Sequence, residues 1–221
     1  MNKQKYLIVR FKTPLRAKEL PLFRGAIIHA MADANVLFHN HTEEGFRYAY
    51  PLIQYKRLNG SAAIVCLSEG AEAIGGFFAA FPSGIRLGER QSALELSSVK
   101  AGETLVQVWD SAFAYRLTRW LPLNQENYSA YKAMDSLAER GAMLEKILTG
   151  NILSFAKGLG IHLDKPIVCQ IDEIERSSVA EYKRVKMDAF DLSFRCNVSF
   201  PPFIGLGKGV SLGFGTVYAC H

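Results

Sequence analysis

Near the C-terminus stands Gly205-Leu206-Gly207-Lys208-Gly209-Val210-Ser211-Leu212-Gly213-Phe214-Gly215, and its reading decides the fold. Five glycines fall in these eleven residues, in the spacing G-h-G-x-x-x-x-x-G-h-G with h apolar. Glycine lets backbone approach a neighbour closely and take positive φ, and successive N–H groups can cradle an anion. A P-loop needs Ser or Thr after Gly-Lys, and here Gly209 follows Lys208. A dinucleotide fingerprint must open a helix within a βαβ unit, and only six residues follow Gly215. The alternative without a ligand is a tight structural connection, whose glycines are costly to order.

Upstream, the patterning predicts two halves of similar element order. In the first, Leu7, Val9 and Phe11 alternate in a strand over 6–11, and a helix over 21–33 carries the stripe Phe23, Ile27, Ala30, Met31 and Ala34. A polar loop over 38–45 leads to a strand over 46–58, and Asn59-Gly60 turns it into a strand over 62–67. Ser68 caps a second helix that ends at Pro82-Ser83-Gly84. A strand over 93–99 completes a β-α-β-β-α-β set, with a Gly102 turn and a strand over 104–109 as an added hairpin.

The second half predicts a strand over 113–120, a helix capped by Asn124, and a helix with Leu144, Ile147, Leu148, Ile152 and Phe155 that stops at Gly158-Leu159-Gly160. A strand over 167–174, a turn at Ser177-Ser178, an alternating strand over 191–198, the glycine loop and a strand over 216–220 follow. The glycine loop thus replaces the second helix. The expected fold is α+β, two tandem ferredoxin-like (RRM-like) domains spanning 1–110 and 111–221.

Apolar residues make up 49% of the 221 residues, enough to build a real core, and the net charge of +5 favours polyanions as partners. Cys66, Cys169, Cys196 and Cys220 form no C-x-x-C pair, which argues against a zinc knuckle or a redox motif. With no apolar leader or long apolar run visible, the expectation is a cytoplasmic protein with reduced cysteines and no membrane association.

The glycine loop resembles that of the repeat-associated (RAMP) proteins of CRISPR systems. Three further segments resemble the crRNA-processing endoribonuclease branch: Phe46-Arg47-Tyr48-Ala49-Tyr50-Pro51-Leu52-Ile53-Gln54-Tyr55-Lys56, Trp120-Leu121-Pro122-Leu123-Asn124 and Gly150-Asn151-Ile152-Leu153-Ser154-Phe155-Ala156-Lys157-Gly158. The resemblance implies two ferredoxin-like domains that bind repeat RNA across a basic cleft. It implies metal-independent cleavage to 2′,3′-cyclic phosphate and 5′-hydroxyl ends, with no cofactor. Relatives of the same fold act as non-catalytic RNA-binding subunits of CRISPR ribonucleoproteins, so that class stays open. So do other CRISPR subunits as partners, and a homodimer. A small-molecule enzyme on the same fold lacks a cofactor motif.

Transesterification of RNA needs a base for the 2′-hydroxyl and an acid for the leaving 5′-oxygen, and histidine titrates in the useful range. The chain has five histidines. The family carries its catalytic histidine where His39-Asn40-His41 lies, and one branch has a similar H-x-H followed by a Tyr that Tyr48 matches in spacing. The expected catalytic set is His41 with His39 as partner and Tyr48 or Lys56 in support, with His29, across the helix from Ile27, in reserve. His162, between helix and strand, reads as structural, and His221 as terminal. A metal site from His39, His41 and Glu43 or Glu44 lacks a further ligand cluster, so none is expected. RNA contacts are expected at Arg47, at Gly205, Gly207, Lys208, Gly209, Gly213 and Gly215, and in the basic run Lys183, Arg184 and Lys186 on a later strand.

Overall fold

The structure is a computed structural model that describes residues 3–30, 41–42, 45–46, 50–79 and 83–220. His39, Arg47, Tyr48, His221, the expected helix end over 31–33, most of the loop over 38–45, and Pro82 lie outside the described residues, as does the side chain of His41. Two compact units divide the described residues: 3–104 with 211–213, and 105–210 with 214–220.

The first unit contains β1 (Lys3–Pro14), α1 (Leu20–Ala30), β2 (His41–Thr42), β3 (Gly45–Phe46), β4 (Ile53–Leu58), β5 (Ser61–Leu67), α2 (Glu69–Ala79), β6 (Gly84–Leu87), β7 (Arg90–Ala93) and β8 (Leu96–Leu105). Its main sheet has the order β4-β5-β1-β8, with β5 antiparallel to both β4 and β1. This is the ferredoxin-like order, in which the inner strands are the first and third of the βαββαβ set. Alternation works as the period of two demands. Val9 and Phe11 of β1, Tyr55 of β4 and Ile64 of β5 are buried together with Phe23 and Ile27 of α1 and Phe77 of α2. Phe11 meets Phe23 and Phe77 edge-on at 5.9 and 6.2 Å between ring centroids.

The second unit contains β9 (Val108–Trp120), α3 (Gln125–Ala133), α4 (Leu137–Gly158), β10 (Cys169–Tyr182), β11 (Val185–Val198) and β12 (Thr216–Ala219). The sheet order β10-β11-β9-β12 repeats the order of the first unit, all pairs antiparallel. Asn124 caps α3 by accepting the Asn127 N–H at 2.7 Å, and Leu144, Leu148, Ile152 and Phe155 form the buried stripe of α4. The glycine loop, with a single 3-10 turn at Val210–Leu212, stands where a second helix would be.

Four expectations are corrected. The strand over 46–58 is broken, because Tyr50-Pro51-Leu52 is not strand and Pro51 has no N–H to give a ladder. Gly102 is no turn: it lies inside β8, where a Cβ would come within 2.6 Å of the Tyr6 ring, so the missing side chain makes room for a tyrosine. The break falls instead at Val106-Gln107, and Asp110 lies inside β9. Ser177-Ser178 lies within β10, and the chain reverses at Lys183-Arg184, with φ of +51° and +64°. Those two basic residues are therefore a turn, and of the run only Lys186 is on a strand. The hairpin β6–β7 was not expected at all.

Candidate nucleic-acid interface

Strands β10 and β11 are fourteen residues each, and β11 meets β9 only from Phe190↔Trp120 to Val198↔Val108. Residues 178–182 and 185–189 consequently form a two-stranded arm beyond the sheet, tipped by exposed Lys183 and Arg184. Tyr182 near the tip packs edge-on against Phe214 of the glycine loop, 5.8 Å between centroids. The Arg119 guanidinium sits 4.3 Å over the same Phe214 ring. The arm tip and the glycine loop, far apart in sequence, are thus brought together.

The loop is held by hydrogen bonds and by close packing together. The Leu206 N–H donates to the Gly215 carbonyl at 2.8 Å, and the Gly215 N–H to the Arg119 carbonyl at 3.2 Å. Trp120, fully buried, donates its indole N–H to Asn151 Oδ1 at 2.9 Å. Gly207 has φ of +86°, and a Cβ there would lie 2.8 Å from Trp120 Nε1 and 2.9 Å from Asn151 Oδ1. Gly205, Gly213 and Gly215 are buried, whereas Gly207, Lys208 and Gly209 keep partial exposure. Lys208 Nζ donates to the Leu123 carbonyl at 3.0 Å, and partial burial lowers its pKa. Gly207-Lys208-Gly209 thus form a partly exposed crest ahead of the 3-10 turn, in which Ser211 and Leu212 are partly exposed too.

In the first unit, His41 pairs with Phe46 in the small β2–β3 ribbon. His29 is exposed on α1, opposite buried Ile27. Lys56 lies on β4 with 0% exposure, and burial pushes its pKa down to about 7. That departs from the expected role of Lys56 beside a scissile phosphate, since the side chain shows no surface to a ligand. Earlier in the same segment, the Tyr50 hydroxyl accepts a hydrogen bond from Gln54 Nε2 at 2.9 Å. His162 is exposed between α4 and β10. Among the described residues no three His, Cys, Asp or Glu side chains cluster as metal ligands, and no helix is long and apolar enough to cross a membrane.

Sequence reasoning missed Arg119, Tyr182 and Phe214. The aromatic Tyr182 directly before two cations was the available signal; for Arg119, whose φ of +52° turns the end of β9, there was none.

Comparison with known proteins bears on the whole length. Residues 2–104 match the Cas6b N-terminal domain and residues 107–220 the Cas6b C-terminal domain. A crystal structure of Cas6b aligns at a TM-score of 0.91 and 26% identity, covering 99% of this chain and 100% of that one. A crystal structure of the CRISPR RNA processing endoribonuclease Cas6b aligns at 0.76 and 24%, with the same coverage. An uncharacterized protein of Methanocaldococcus jannaschii is 38% identical over 101 residues, which is 46% of this chain and 67% of that protein.

Proposed function

The chain belongs to the Cas6b family, and on that premise we propose that it is an endoribonuclease that cuts CRISPR repeat RNA to release guide RNAs. The observation that carries this reading is the match of both halves, end to end, to the two domains of that family. The arm tip and loop crest add a consistent surface: Lys183, Arg184, Lys186 and Lys208 gather cations in the second unit, where phosphates release counterions on binding.

In the proposed reaction the 2′-hydroxyl attacks the adjacent phosphorus in line, the 5′-oxygen leaves, and the products are a 2′,3′-cyclic phosphate and a 5′-hydroxyl. The nucleophile belongs to the RNA itself, so no water has to be activated and proton transfer by side chains suffices without metal. His41 and His39 divide the base and acid roles, Tyr48 assists, and His29, exposed on α1, is the reserve. Arg47 and the crest Gly207-Lys208-Gly209 hold the backbone. Lys56, fully buried, is assigned to the fold and not to the reacting phosphate.

The test is repeat RNA, labelled at its 5′ end, incubated in excess chelator. Cleavage at one bond with a cyclic phosphate on the upstream product is expected, and His41→Ala should lose about 10²-fold or more of the rate while retaining binding. Normal cleavage by His41→Ala, His39→Ala and His29→Ala alike would refute the histidine mechanism. Cleavage that stops with chelator would refute metal independence.

A further inference from the structure

Beside the glycine loop, the second unit holds a cavity of about 450 Å³ between the first turns of α3 and the β10–β11 arm. The most exposed apolar residues of its lining are Tyr128 of α3 with Val179 and Val185 of the arm, beside Leu123 and Met187, and its polar lining includes Gln125, Lys186 and Asp188. These apolar side chains are unusually open: Tyr128 is 43% exposed, Val179 67% and Val185 58%. Single exposed apolar residues need no explanation, but three around one concavity do. The lining is also organised. Lys132 Nζ lies 3.1 Å from Asp188 Oδ2 and 5.2 Å over the Tyr128 ring, so ring, ammonium and carboxylate form one unit. Leu123, which also borders the cavity, accepts the Lys208 hydrogen bond, so the cavity abuts the loop crest.

We propose that this cavity receives one unstacked nucleobase of the RNA, with Tyr128 as its stacking platform; this rests on the function proposed above. The volume falls at the lower end of the roughly 300–1,000 Å³ typical of small-molecule sites, suited to a base with its ribose. Sequence-specific recognition of RNA works largely by splaying unpaired bases onto aromatic rings and reading their edges. Charge complementarity selects a nucleotide over an apolar peptide. Lys132, Lys186 and Lys208 flank the cavity with Lys183 and Arg184 at the arm tip, while Asp188 is tied to Lys132 and Glu181 stands opposite Lys186. A carboxylate only accepts hydrogen bonds, so the Asp188 oxygen not held by Lys132 reads a donor on the base edge, either an exocyclic amino group or a ring N–H.

The experiment uses the full chain and repeat RNAs carrying one abasic nucleotide at each unpaired position in turn. At one position the abasic RNA should bind wild type about 5- to 100-fold more weakly, the usual scale for one stacked base. Tyr128→Ala should lose a similar factor on intact RNA and lose nothing more on that one abasic RNA. Val185→Trp, at an exposed arm position, fills the cavity without changing charge and should reproduce the loss at the same position. If Tyr128→Ala and Val185→Trp bind intact RNA within twofold of wild type, or if their losses multiply with the abasic loss at every position, the proposal is overturned. A cavity that serves another protein would give that result. Failure of wild type to prefer repeat RNA over unrelated RNA of equal length would instead bring down the function reading, and this inference with it.

Discussion

Replacing Gly207 by alanine separates a loop held by packing from one that is glycine-rich only to admit a ligand. The residue sits at φ +86°, and its added methyl would lie 2.8 Å from Trp120 Nε1 and 2.9 Å from Asn151 Oδ1. Holding alanine in left-handed backbone costs about 1–2 kcal/mol. Forcing a methyl into a filled site costs about 1–3. Losing the Trp120–Asn151 hydrogen bond adds about 1. The stiffer unfolded chain of the variant returns about 0.4–1. The net expectation is a destabilisation of about 2–5.5 kcal/mol, or roughly 4–22 °C in Tm for a chain of this size. Urea unfolding followed by far-UV circular dichroism measures it, and if the two units unfold separately the shift belongs to the second unit's transition. Gly150→Ala is the internal control: it is exposed in α4 with nothing within 4 Å of its Cβ, so that variant should gain up to about 1 kcal/mol. A Gly207→Ala protein within 0.5 kcal/mol of wild type would refute the packing account of the loop.

Two further outcomes are expected. Glu19 is nearly buried, its carboxylate accepting the Arg16 N–H at 2.7 Å and pairing with Arg90 at 3.3 Å, and the Arg16 backbone bond followed by the Arg16 and Arg90 charges holds its pKa below the usual range against burial. Its contribution is therefore fully present above the ordinary carboxylate range and lost as pH falls through the lower folded value. Glu19→Gln should cost about 1–3 kcal/mol at pH 7 and less at pH 3, read from urea midpoints; equal costs at both pH values would count against this. Changing Lys183 to Asn together with Arg184 to Gly keeps a turn of positive φ and removes two charges. Stability should hold while the slope of log affinity for RNA against log salt falls by about 2, and an unchanged slope would remove the arm tip from the RNA contact.

How far the sequence was legible depended on whether the deciding force was local. Alternation in β1 and β11, the 3.6-residue stripe of α4 and the Asn124 cap are local, and each element contains the residues the pattern marked, although β1 and β11 run three to six residues beyond them. Asn59-Gly60 and Lys183-Arg184 make the same kind of positive-φ reversal, yet only the first carries residues that prefer it. The second is imposed by the register of two fourteen-residue strands, a non-local constraint. Gly102 misled because a strand glycine facing Tyr6 and a turn glycine look alike until the partner strand is known. At the candidate site, the loop and the basic residues were legible, but their meeting through Tyr182, Phe214 and Arg119 depends on strand pairing.

Lys56 shows where a motif and a fold pull apart, and its titration offers the decisive measurement. Alternation on β4 sends Tyr55 into the core and Lys56 to the opposite face, and both are nearly inaccessible. In the unfolded chain a lysine stays protonated up to about pH 10.4. In the folded chain, loss of solvent brings the value to about 7. Between those values the unfolded state holds one more proton, so this residue makes stability rise with pH from 7 to 10. Lys56→Met removes that dependence and leaves every other titrating group in place. The stability difference between variant and wild type should therefore shift toward the variant as pH falls from 10 to 7, by an amount on the order of a few kcal/mol, since each pKa unit corresponds to about 1.4 kcal/mol. Matched urea titrations at pH 7, 8.5 and 10 measure the difference directly. If the two proteins keep the same spacing at all three pH values, Lys56 is charged and solvated in the fold, and its assignment to the interior in place of the RNA phosphate is wrong.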